Sequence, residues 1–171
     1  MKLQHRLLFA AVLALSASAF AGTSENVTLT VNVPSVLELT TSSNSVTITN
    51  TAADYSAADA ITTTSAAAHQ LSVRSNRAWN VSVKSAAANF SFTPANAGDT
   101  RTKPAADAQV RKAAGTFASL STTNFTLATG TAGGVGHSGN TFAIDYKVAT
   151  DITLDPPGAY ALDVVYTLTA P

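Results

Sequence analysis

The sequence predicts an all-β protein: a single Ig-like β-sandwich with one short helix in a long inter-strand loop. Three observations carry this expectation. Apolar and polar residues alternate strictly in several separate runs. Such a period of two places one side of each strand against a core and the other toward water. Runs rich in Ser, Asn, Gly and Pro, which favour turns, separate these segments. Finally, 46% of residues are hydrophobic but only 12% are charged, about half the usual charged share. Ala, Ser and Thr make up the difference. That texture suits an exported β protein better than a cytosolic enzyme.

The clearest alternation closes the chain. Phe142, Ile144, Tyr146 and Val148 alternate with Ala143, Asp145 and Lys147. After Asp155-Pro156-Pro157-Gly158, the residues Tyr160, Leu162, Val164, Tyr166 and Leu168 alternate with smaller or polar ones. Two such runs across a Pro/Gly turn predict neighbouring antiparallel strands, with a short extra strand at Ile152–Leu154 between them.

Further upstream, Val27, Leu29, Val31 and Val33 predict a first strand that stops at Pro34. Val36–Leu39 resumes an extended run, and Val46–Ile48 predicts a short third strand. Thr51–Ala68 reads as a loop that touches the core at Tyr55 and Ile61. Leu71 and Val73, then Trp79, Val81 and Val83, predict a hairpin turning at Ser75–Ala78. Phe90 and Phe92 continue as a strand to Pro94. Pro104 and Gly115 bracket a segment with Asp107 early and Arg111 and Lys112 late, which predicts the short helix. Phe117 and Leu120, then Phe125 and Leu127, predict further strands, and a glycine-rich loop runs from Gly130 to Gly139.

The amino-terminal residues read as an export signal, not as structure. Lys2 and Arg6 precede an apolar run from Leu7 to Leu15, and Ala19-Phe20-Ala21 fits a small-x-small cleavage site. The expected organisation is a signal peptide over 1–21 and a sandwich over 22–171. The apolar run is too short to span a bilayer comfortably, so no transmembrane span is expected. The expected location is outside the cytoplasm: secreted, at the cell surface or in the periplasm. Formal net charge is zero and cysteine is absent. The first gives no attraction for nucleic acid. The second excludes disulfides, thiolate metal sites and a cysteine nucleophile.

Several residues invite a chemical role. Gly134, Gly136 and Gly139 match the spacing of a dinucleotide-binding loop, but that motif must open a helix, and here a strand follows. His137 and Ser138, with Asp145 nearby in sequence, do not make a triad without a geometry that joins them. Asp145, Asp151, Asp155 and Asp163 lack the pattern of a calcium loop and read as a solvated face. The sequence therefore predicts no catalytic residues, no cofactor and no metal: the chain is expected not to be an enzyme.

One resemblance concerns function. Trp79-Asn80-Val81 lies within a strand, and the chain ends Gly158-Ala159-Tyr160, then Tyr166-Thr167-Leu168-Thr169-Ala170-Pro171. This resembles the WxL family of bacterial surface proteins, which carry one Trp-x-Leu motif inside the domain and a second near the carboxy terminus. Here Val81 stands for the first Leu and Tyr166 for the second Trp. The resemblance implies non-covalent association with cell-wall polymer or other surface proteins, and it singles out Trp79, Val81, Tyr166 and Leu168 as motif residues, expected in the core. The alternative expectation is a fimbria-like structural subunit that self-assembles by β-strand addition. Residues Gly22–Val33 would be the donor in that case. The sequence-based expectation favours self-pairing of Val27–Val33 within its own domain, with the wall-associated protein as the leading function.

Overall fold

The computed structural model describes residues 25–171, and the expected signal peptide lies outside them. A compact unit spans Pro34–Pro171 and is distinct from the chain before it. It is all-β. Ten strands run in the order β1 (Leu37–Thr41), β2 (Ala60–Ser75), β3 (Trp79–Ser85), β4 (Ser91–Pro94), β5 (Ala108–Lys112), β6 (Ala118–Ser119), β7 (Phe125–Gly130), β8 (Thr141–Asp151), β9 (Gly158–Ala161) and β10 (Val164–Thr169).

Every pairing is antiparallel. One sheet has the order β1-β2-β8-β5-β6, a second β10-β3-β7, and β4 with β9 forms a small third sheet. The first two sheets enclose the core. Leu71 and Val73 of β2, Val110 of β5 and Ile144 of β8 supply one wall. Trp79, Val81 and Val83 of β3 supply the other. All seven are at most 1% exposed. The strict alternation of β3, buried at every odd residue from Trp79 to Ser85, follows from the strand period.

The structure corrects several expectations. Residues Pro104–Gly115 form no α-helix. A single 3-10 turn at Ala105–Asp107 leads into β5. The helical start and stop signals were present, but Val110 is the segment's only large apolar side chain. Pairing with β8 buries it completely, whereas a helix would have no apolar stripe to bury.

The expected hairpin at Ser75–Ala78 is a crossover, because β2 and β3 belong to different sheets. The two carboxy-terminal runs are not neighbours either. The second divides into β9 and β10, which pair with β4 and β3, while β8 lies in the opposite sheet. Alternation marks a buried face without saying whether two such faces lie side by side or across a core. Here they face each other: the hydroxyls of Tyr146 and Tyr166 meet at 2.6 Å.

Residues Ala60–Ala68, expected as loop, extend β2 to sixteen residues. The far half of β8 supplies their ladder, Ala60 pairing with Asp151. A bulge between Ser65 and His69 interrupts it. Ala67 takes a left-handed φ of 47° there, and its amide donates to Asp145 Oδ1 at 2.8 Å. Ile152–Leu154 is a turn, and Val46–Ile48 packs against the core outside any strand.

The expected first strand is also absent. Residues 25–33 belong to no strand, and Val27, Leu29, Val31 and Val33 are 91%, 85%, 72% and 75% exposed. The alternation is genuine, but a strand needs a ladder partner for its amides and carbonyls.

Candidate functional site: an open sheet edge

Strand β10 lies at the edge of its sheet. One side pairs with β3, Val164 with Ser85 through Thr169 with Asn80. The other side has no strand partner among the described residues. Such an edge offers a row of unpaired amides and carbonyls.

Side-chain burial shows the same opening. Val81, Val83 and Ser85 on β3 are fully buried, whereas Val164, Tyr166 and Leu168, directly opposite them, are only half-buried. These three residues belong to the core face of β10 and pack against the buried cluster. Across the seam, β10 touches β1, the edge strand of the five-stranded sheet. Leu39 of β1 is half-buried and Leu37 is 40% exposed. The apolar core is thus less covered along β10 than along its neighbour β3.

Beneath this edge lies a polar cluster. His69 is 6% exposed, and its ring is 5.6 Å from those of both Tyr146 and Tyr166. The Tyr146–Tyr166 hydrogen bond joins the two sheets at this level. His69 Nδ1 is buried and has no hydrogen-bond partner among the described residues. Burial alone lowers the His69 pKa, since no neighbouring charge compensates a bound proton. Burial likewise raises both tyrosines, so both phenols stay protonated, one donating to the other.

The motif residues fall into two groups. Trp79 and Val81 lie in the closed core, 1% and 0% exposed. Trp79 Nε1 donates to Thr131 O at 3.0 Å and to Asn140 Oδ1 at 3.3 Å, and its ring stacks on Phe142. Tyr166 and Leu168 line the open edge. The strand period could have shown that all four face inward. The unpaired edge could not be read without the sheet order.

The other singled-out residues form no common site. Asp145 accepts from Ala67 N and Arg111 Nε at 2.8 Å each, and neither contact involves His137. His137 folds over Gly133, leaving no room for a side chain there. The glycine loop is fixed by Asn140, whose Nδ2 donates to the carbonyls of Gly133 and Gly134. Asp155 accepts from Arg101 Nε at 2.8 Å, Lys103 Nζ at 2.6 Å and Asp151 N at 3.1 Å. Burial pushes its pKa up, but these three donors outweigh burial and hold it below the usual carboxylate range. A cavity of about 380 Å³ beside this network is lined by Arg101, Lys103, Asp107 and Asp155 together with Ile61 and Leu154. Both basic groups there are already paired with carboxylates. Among the described residues, no group of three or more His, Cys, Asp or Glu side chains is placed to hold a metal ion. No described helix is long and apolar enough to cross a membrane.

No family model matches the chain, and no curated protein is significantly similar to it.

Proposed function

We propose that this chain is a non-enzymatic structural subunit of an exported surface fibre, assembled by β-strand addition. The observation that carries this reading is a complementary pair. Among the described residues, one sheet ends in an unpaired strand with half-covered Val164, Tyr166 and Leu168, and a seven-residue alternating segment, Val27–Val33, has no strand partner. A donor segment of one copy laid along β10 of the next would satisfy the open ladder. Its alternate side chains would cover the exposed part of the core. Val27, Leu29, Val31 and Val33 would point inward. Thr28, Thr30 and Asn32 would point outward.

The WxL resemblance supports a different role, non-covalent association with cell-wall polymer. Its residues Trp79 and Val81 are buried, so they offer no surface to a polymer. Strand addition is therefore the reading the geometry favours.

Residues 22–171, purified after export and run unheated on a denaturing gel, should give a ladder of multimers that collapses to one band on boiling. The same chain lacking Gly22–Val33 should give no ladder. A full chain that runs as a monomer at high concentration, with its open edge intact, would overturn the proposal.

A further inference from the structure

The fibre joint proposed above rests on β10, and His69 sits against that strand from below. Tyr166, on β10, hydrogen-bonds to the opposite sheet through Tyr146. His69 contacts both rings, and its Nδ1 has no partner among the described residues. The rings against the imidazole are the two phenols, Tyr146 from β8 and Tyr166 from β10, and on β5 the cation Lys112 stands in register with Ile144, the β8 partner of His69, with its Nζ over the Phe142 ring. The charged pair beside the β2 bulge, Asp145 of β8 and Arg111 of β5, is directed at the Ala67 amide and at itself. On β3, the inward residue at this level is Val83, paired with Tyr166, and Lys84 lies on the alternate face. Among the described residues, a proton on His69 therefore meets no counter-charge.

The free edge leaves Tyr166, the ring beside His69, half-buried, while His69 and Tyr146 are already buried. A strand docked on β10 covers Tyr166 and moves solvent farther from the imidazole. The charged imidazole is then worse solvated in the joint than in the free subunit, while the neutral imidazole is little affected. Binding and protonation must oppose each other by linkage. We propose that His69 and the Tyr146–Tyr166 pair make the joint at β10 acid-sensitive, so that a proton taken up by His69 expels the docked strand. The partner is a second copy of this chain, and the device would allow fibres stable at neutral pH to loosen in acid.

The test uses a fluorescent peptide of residues Gly22–Pro34 and the full chain held dilute, with binding read by anisotropy between pH 7.5 and pH 5. The wild-type dissociation constant should rise as pH falls, with a slope of at most about tenfold per pH unit for one proton. His69→Gln, neutral throughout, should bind at pH 7.5 within a few-fold of wild type and change less than about twofold on acidification. His69→Phe provides a second neutral variant should the glutamine fold poorly. A flat wild-type profile, or an equal rise in the neutral variants, overturns the acid switch and leaves the fibre reading standing. Peptide that fails to bind even at pH 7.5 overturns both.

Discussion

Lys103 is a buried cation, and its main partner can be removed. Its side chain is 2% exposed, and Nζ donates to Asp155 Oδ2 at 2.6 Å and to Ala149 O at 2.7 Å, with Asp107 Oδ2 at 3.1 Å. Asp155→Ala leaves that ammonium with one neutral carbonyl and a carboxylate whose side chain is 30% exposed. Breaking a buried pair by removing one partner costs about 3–5 kcal/mol. The remaining Asp107 contact places this case near the lower end. The loss of Arg101, 24% exposed, adds less than about 1 kcal/mol. The expected total is about 3–4 kcal/mol. Urea unfolding, followed by Trp79 fluorescence, measures it. The double change Lys103→Met, Asp155→Leu removes both charges and should recover most of the loss, since apolar replacement of a buried pair is often neutral. A loss below about 1 kcal/mol for Asp155→Ala, or a double variant less stable than the single one, would refute the view of this network as a coupled buried pair.

Further predictions concern the core and the response to acid. Trp79→Ala should cost about 3–5 kcal/mol, as large-to-small changes at closed sites do, and native Trp79 emission should be blue-shifted. Gly130→Ala should also destabilise, because a side chain there runs into the Trp79 ring. Stability should fall in two stages on acidification. His69 has a folded pKa below its ordinary 6.5, so its contribution is intact above that value and is lost as pH falls beneath it. Asp155 and Asp145 are held below the ordinary carboxylate range, Asp145 chiefly by the Ala67 amide, so their contribution persists above the unfolded carboxylate value and is lost as pH falls through the folded one. Denaturant midpoints against pH should show both stages in the wild type, and His69→Gln should remove only the first.

The sequence made the strand texture legible because burial on one face imposes a period of two on each strand separately. β3 shows this plainly, with every inward residue apolar until Ser85. Pairing was not legible. Tyr146 and Tyr166 lie in alternating runs of the same character, and nothing local distinguishes neighbours in one sheet from partners across a core. The long β2 was hidden for another reason: apart from Ile61, Ala60–Ala68 is small or polar, and its extended form is held by the ladder to β8. The candidate site divides along the same line. The donor-like alternation of Val27–Val33 was visible in the residues. The open edge of β10 depends on which strands lie beside it, and the buried imidazole of His69 on the folding of three separate strands.

The central claim is that β10 of one copy receives residues 27–33 of another. The chain has no cysteine, so engineered pairs report without background. Thr30→Cys on the outward face of the donor and Thr167→Cys on the outward face of β10 would be placed in two separate populations, one of them isotopically heavy. The populations would be dissociated, mixed, reassembled and oxidised. The account predicts a cross-linked peptide joining heavy and light chains, lost when Val27, Leu29 and Val31 are changed to Asp. Cross-links confined to single chains in a population carrying both cysteines, or none after a scan of Thr28, Thr30 and Asn32 against Thr167, would contradict it.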